Sequence, residues 1–232
     1  DGFDSWTAFE LSWLSPTGIP EQAVLTIEYS CDSQVIIESK SFKLFLGSLN
    51  NTRFESPDAL KDTIGQDLSK ALQTQLARCE LILPSEFSKL AIDTVPGRSL
   101  DDQPISKIPL KPHPQLIETV YENFISEEFH TNKFRSLCPV TSQPDWATIV
   151  IKYSGRDFAK NELLSYLLSF RNSAAFHEQI CEQIFCDLTV RLDPQFLAVG
   201  CYFLRRGGID ITPHRWTRGK EYSPLAKRLC RQ

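Results

Sequence analysis

Three segments of this chain carry thiol, carboxylate, imidazole and hydroxyl groups where neither a core nor a solvated surface needs them. The first is Ile37-Glu38-Ser39-Lys40-Ser41-Phe42-Lys43, with a carboxylate, two hydroxyls and two ammonium groups inside an apolar stretch. Taken alone it reads as an edge strand whose charges discourage aggregation. The second is Cys138-Pro139-Val140-Thr141-Ser142-Gln143-Pro144-Asp145-Trp146. Its two prolines make it an irregular loop feeding a strand, a place where a nucleophile is usefully presented. A thiolate is the most nucleophilic side chain available once an acid–base partner is near, and Asp145 approaches Cys138 if the loop folds back. The equal alternative is a buried structural thiol. The third is Phe176-His177-Glu178-Gln179 at the start of a helix. There Glu178 suits the positive helix end, and His177 can exchange protons near neutrality. By itself this is a solvated His–Glu pair.

Other constellations are less complete. His177 and Cys181 lie four apart on one helix face with Cys186 nearby, but a zinc site wants four ligands and no Cys-x-x-Cys occurs. Arg205-Arg206-Gly207-Gly208 offers guanidinium and backbone N–H groups to a phosphate, and equally makes a hairpin turn. No G-x-G-x-x-G follows a strand, so any dinucleotide binds without a Rossmann fold.

Composition narrows the classes. The chain has 232 residues, 41% hydrophobic and 23% charged, which is globular composition. A net charge of -4 with 25 Lys and Arg leaves no basic footprint for nucleic acid. No apolar run approaches the ~20 residues of a membrane-spanning helix. Asp1-Gly2-Phe3-Asp4 does not read as a signal peptide. Seven scattered Cys, an odd number, point to free thiols and hence to the cytoplasm. The absence of Met suggests that the chain starts inside a longer product and that some Met are missing from between its residues.

These groups need elements to hold them. Residues 23–29 are β-branched and aromatic enough for a strand, and the alternation Phe42, Leu44, Leu46 extends a second strand over 34–46. Ser56-Pro57-Asp58 is a helix start, followed by Leu60, Ile64, Leu68, Leu72 and Leu76 at spacing four. Residues 79–83 return as a strand, and residues 94–114 read as a connector. The second half runs as a strand from Trp146 to Tyr153 ended by Ser154-Gly155, and helices at about 158–170 and 174–188. A strand from Phe196 to Leu204 and its resumption at Ile209 complete it. The predicted class is α+β, antiparallel sheets each backed by helices on one face, in modules of residues 1–115 and 116–232.

Glu38-Ser39-Lys40-Ser41-Phe42-Lys43-Leu44-Phe45 resembles the signature octapeptide of the NADPH-dependent 7-cyano-7-deazaguanine reductases, the queuosine-pathway nitrile reductases. Cys138 with Gln143-Pro144-Asp145-Trp146, then Phe176-His177-Glu178-Gln179, then Arg205-Arg206-Gly207-Gly208 follow in that family's order. Residues 48–54 and Ser169-Phe170-Arg171 are also similar. The likeness runs from about Trp6 to Gln232, is weak around 84–115, and matches the long, two-module members without their N-terminal stretch. It implies tandem tunnelling folds (T-folds) and reduction of a nitrile to a primary amine with two NADPH and no metal. It further implies a homodimer and a free deazapurine substrate on the path to a modified tRNA base. By the resemblance, Cys138 forms a covalent thioimide, Asp145 supplies the proton and His177 assists. Ile37, Glu38, Ser39, His177 and Glu178 contact the base; Ser39, Lys40, Arg206 and Gly207 contact NADPH.

Two other readings compete. A zinc cyclohydrolase similar to GTP cyclohydrolase would set a His three residues after its first Cys ligand, where this chain has Thr141. A non-catalytic purine-binding module would be indifferent to loss of Cys138.

Overall fold

The computed structural model describes residues 1–232, the side chains of residues 119 and 120 excepted. The chain forms two compact units: Gly2–Ala91 with Arg205–Ile211, and Ile92–Leu204 with Asp1 and Thr212–Gln232.

In the first unit, strand β1 (Gly2–Leu14) pairs antiparallel with β2 (Pro20–Ser30), and β2 with β3 (Arg78–Ile82). Trp6, Ala8, Leu11 and Trp13 turn to the core, the step from Ala8 to Leu11 marking a register shift. Two helices cover this face. One of them, α1 (Ser39–Ser48), overturns the strand expected over 34–46. The Glu38 side chain accepts from the Lys40 and Ser41 amides, which starts a helix. Phe42 and Leu46, four apart, are buried, Phe42 meeting Trp6 edge to face at 5.6 Å. Leu44 of the apparent alternation is 66% exposed, so a two-residue period describes no buried face here. The charges of this segment therefore decorate a helix start and not an edge strand.

Helix α2 (Pro57–Leu72) begins as expected, with the Ser56 hydroxyl accepting from the Ala59 amide and Pro57 in the first turn. Leu60, Ile64, Leu68 and Leu72 are its buried stripe. It ends at Gln73 in the left-handed region (φ 54°), so Leu76 packs from beyond the helix.

In the second unit, β5 (Thr119–Leu137), β6 (Pro144–Phe158), β7 (Phe196–Phe203) and the later residues of β8 (Ile209–Trp216) form an antiparallel series. A two-residue strand, β4 (Arg98–Ser99), runs parallel to β5. Helices α3 (Lys160–Ser169) and α4 (His177–Leu192) cover one face through Leu163, Leu164, Leu167, Ile180, Ile184 and Leu188. On the other face Val150 and Tyr202 pack with Ala226 and Leu229. The predicted α+β class is the observed one.

Among the boundaries that differ from expectation, two have a visible cause. Strand β6 continues through Ser154-Gly155 to Phe158, because Gly155 leaves room for Tyr153: a Cβ there would lie 2.6 Å from the Tyr153 hydroxyl. Helix α4 starts at His177 and not near 174, because Ala174 bridges to Leu137 of β5.

Candidate active site

The 138–143 loop closes a hairpin between β5 and β6. The Cys138 amide donates to the Gln143 carbonyl and the Ser142 amide to the Cys138 carbonyl, both at 2.9 Å. Ser142 takes the left-handed conformation (φ 57°) that this reversal needs. Ser136 is registered opposite Asp145 and Leu137 opposite Pro144. By strand alternation Cys138 is then a diagonal neighbour of Asp145 on one face, a relation that spans roughly 7 Å between backbones. The half-buried Cys138 thiol and the buried Asp145 carboxyl, 4% exposed, thus share the end of one hairpin.

Helix α4 brings the third segment to the same end. The Leu137 amide donates to the Ser173 carbonyl at 2.8 Å and the Ala175 amide to the Leu137 carbonyl at 3.2 Å. This ties the approach to α4 to the residue before Cys138. The Gln179 side chain then accepts from the Phe176 amide at 3.1 Å, satisfying one donor at the helix start. His177 Nε2 lies 3.3 Å from Asp145 Oδ2, and its ring stacks on Phe203 with centroids 3.7 Å apart and planes 5° from parallel. Glu178, in the first turn, is buried. Cys138, Asp145, His177 and Glu178 all belong to the second unit.

Trp146 points, by alternation, to the sheet face opposite Asp145. The guanidinium carbons of Arg135 and Arg171 lie 5.8 and 5.7 Å from its ring centre. Arg135 also donates twice to the Arg171 carbonyl, at 3.1 and 2.8 Å. This fastens the short 3-10 turn Phe170–Asn172 to β5.

The remaining predicted residues sit in the first unit. Glu38 caps α1: its carboxylate accepts from Lys40 N (3.0 Å), Ser41 N (2.7 Å) and Ser41 Oγ (2.8 Å). Burial pushes this carboxyl up, but the hydrogen bonds from Lys40 and Ser41 and the Lys40 charge together hold it below the usual carboxylate range. Glu38 is therefore an anion at neutral pH. It also occupies the first amides of α1, so a phosphate near Ser39 and Lys40 would meet side chains and not the helix end. Ile37 packs against the core beside it. Ile37, Glu38, Ser41, Phe42, Phe45 and Leu68 line a mainly apolar cavity of about 320 Å³. The 205–208 segment is a two-residue hairpin turn, Arg206 and Ile209 exchanging bonds of 3.0 and 3.1 Å. Gly207 and Gly208 both have positive φ (58° and 81°), the form such turns require. Lys40 and Arg206 are exposed cations in this unit. Their charges suit the phosphates of a dinucleotide.

Among the described residues no three His, Cys, Asp or Glu side chains converge as a metal site. The His177, Cys181 and Cys186 set does not close: Cys181 is buried, donating to the Val199 and Pro213 carbonyls, while Cys186 is exposed.

Comparison with known proteins places the chain in a family. A family model described as nitrile reductase, 7-cyano-7-deazaguanine-reductase N-term, matches residues 1–79, and one described as QueF-like protein matches residues 144–222. The NADPH-dependent 7-cyano-7-deazaguanine reductase of Chromohalobacter salexigens is 42% identical over 232 residues, all of this chain and 82% of that protein. Its counterpart from Albidiferax ferrireducens is 43% identical over 245 aligned residues, covering 100% of this chain and 84% of that protein. The chain belongs to the NADPH-dependent 7-cyano-7-deazaguanine reductase family. A crystal structure of apo archaeosine synthase QueF-Like is a distant likeness only, 16% identical with TM-score 0.37, covering 42% of this chain and 96% of that one.

For a member of this reductase family, one side chain stands out that sequence patterns did not single out. Phe203 underlies His177, and it ends a β7 that is buried almost throughout, so nothing in the strand's pattern sets it apart. Gln179, already part of the third segment, gains a role at the start of α4, its place three residues after Phe176 being the spacing of a helix cap.

Proposed function

We propose that this protein reduces the nitrile of 7-cyano-7-deazaguanine to the primary amine, using NADPH and a covalent intermediate on Cys138. The observation that carries the reading is the buried Asp145 carboxyl, 3.3 Å from a His177 ring stacked on Phe203, at the end of the hairpin that presents Cys138. The names of relatives over 40% identical supply the substrate and the reductant.

The chemistry follows from these groups. The Cys138 sulfur bonds to the electrophilic nitrile carbon, and the C≡N triple bond becomes C=N–H as its nitrogen takes a proton. Asp145 delivers that proton, which requires the carboxyl to hold it or share it with the thiol in the resting enzyme. A hydride from one NADPH reaches the thioimide carbon; the C–S bond then breaks, leaving an imine and the free thiol. A second hydride and proton give the amine. The overall balance is one nitrile, two NADPH and two protons to one amine and two NADP⁺. His177, held flat by Phe203, relays protons at Asp145. Glu178 accepts from the ring N–H and exocyclic amine of the base, a paired contact that rejects bases lacking both donors. Glu38, with Ile37 and Ser39 beside it, is the second contact to the base. Ser39, Lys40, Arg206 and Gly207 meet NADPH.

In this reading the two modules, residues 1–115 and 116–232, are tandem T-folds, and the enzyme works as a metal-free homodimer in the cytoplasm. It serves queuosine synthesis at the stage of the free base and does not bind tRNA. No helix among the described residues is long and apolar enough to cross a membrane.

The test is a mass measurement. Protein mixed with 7-cyano-7-deazaguanine and no NADPH gains one substrate mass, mapped to Cys138, and Cys138→Ala gains none. Protein that binds the base yet forms no adduct would overturn the mechanism. Tightly bound zinc in active protein would favour the cyclohydrolase alternative.

A further inference from the structure

The turn that carries Arg206 and Gly207 is gripped by side chains to which the proposed reaction assigns no role. Strand β1 gains one residue over β2 between the pairs Ala8–Leu25 and Leu11–Ala23, so Phe9 and Glu10 form a bulge. Bulges re-aim side chains and recur beside functional sites. Here both residues reach the 205–208 turn. The Phe9 amide donates to the Gly208 carbonyl at 2.9 Å, and the Phe9 ring lies 3.5 Å beneath the Arg205 guanidinium. Glu10 holds the Lys43 ammonium at 2.9 Å, and that ammonium donates to the Gly207 carbonyl at 2.6 Å. Gly208 backs directly onto Glu10, where an added Cβ would lie 2.6 Å from the carboxyl carbon. Lys43 itself stands on α1, one helical turn after Ser39 and Lys40.

We propose that Glu10 is a positioning residue for NADPH. It fixes the Lys43 ammonium on the Gly207 carbonyl and thereby sets Arg206 and Gly207 in register with Ser39 and Lys40. The inference rests on the reading that those four residues meet NADPH. Stability alone is a poor reason for the ion pair, since both partners are about half exposed or more (47% and 64%) and such pairs contribute little to folding. Electrostatics alone would disfavour it as well, because a carboxylate beside a site for a polyanion repels the ligand. The sign of the effect of removing Glu10 therefore separates positioning from charge.

The experiment titrates NADPH, by its fluorescence and without nitrile, into wild type, Glu10→Ala, Glu10→Gln and Arg206→Ala. Glu10→Ala binds NADPH about five- to tenfold more weakly, tenfold being about 1.4 kcal/mol. Glu10→Gln, which keeps an acceptor for the ammonium, stays within about twofold of wild type because the contact survives without the charge. Both Glu10 variants form the Cys138 adduct at the wild-type rate and keep the wild-type thermal midpoint. Equal or tighter NADPH binding by Glu10→Ala, with Arg206→Ala weakened, overturns the positioning role alone. Slowed adduct formation in Glu10→Ala, or a fall in its thermal midpoint, makes the role merely structural and overturns it too. An unchanged affinity in Arg206→Ala removes the NADPH reading, and this inference with it.

Discussion

Replacing Asp210 with Asn should make the protein more stable, and increasingly so as pH rises toward 7. Asp210 follows the Gly-Gly turn at the start of β8 and is 3% exposed. Burial raises its carboxyl from the usual 3.8 to about 7, the nearby Arg205 charge and a hydrogen bond from Thr7 offsetting only part of that. The folded state thus holds a proton that the unfolded chain releases above pH 3.8. The associated stability is fully present below 3.8 and is lost as pH climbs through 7. One proton corresponds to about 1.4 kcal/mol per pH unit, which over the interval sets a ceiling of about 4 kcal/mol. Discounted by about half for relaxation and water entry, that ceiling makes the advantage of Asp210→Asn grow by ~2 kcal/mol between pH 4 and 7 and then level off. Urea unfolding of both proteins at half-unit pH steps, with equal m-values, measures it. A difference that stays flat from pH 4 to 8, or a wild type that is the more stable at pH 8, would refute the reasoning. Taking the difference between the two proteins removes the opposing contribution of His214. That buried imidazole is held down to about 3, so its share of stability is present above pH 6.5 and lost in acid.

Other outcomes follow from the site. Phe203→Leu should cost less than the ~3–5 kcal/mol of a Phe-to-Ala change, yet slow adduct formation at Cys138 about tenfold by releasing the His177 ring; an unaltered adduct rate in mass-spectrometric time courses would deny Phe203 this part. Glu178→Leu should weaken binding of the base ~100-fold, the value of two charge-assisted hydrogen bonds, while iodoacetamide labels Cys138 as before. Unchanged affinity by calorimetry would remove the role assigned to Glu178. Ser56→Ala should cost ~1 kcal/mol through loss of the α2 cap, read as a urea midpoint shift with NADPH affinity unchanged.

Several features were legible in the residues because the forces behind them are short-ranged. Ser56-Pro57-Asp58 and the four-residue stripe after it determine α2, since a cap, a preset φ and one apolar face act within a few residues. Gly207-Gly208 determines a tight hairpin, because both positions need a positive φ that costs glycine nothing. The order of the polar segments around Glu38, Cys138 and His177 sufficed to suggest the family. What the tertiary structure decided was everything that depends on a distant partner. Phe42, Leu44, Phe45 and Leu46 satisfy a two-residue and a helical period alike, and only burial of Phe42 against Trp6, with Glu38 folded onto the Lys40 and Ser41 amides, selects the helix. The start of α4 is set by the bridge between Ala174 and Leu137, 37 positions earlier in the chain, which no local propensity encodes. The stacking of His177 on Phe203 and the slip in β1 that turns Phe9 and Glu10 toward Gly208 arise the same way. Packing of strands far apart in sequence fixes such contacts, and a short window of residues holds no record of them.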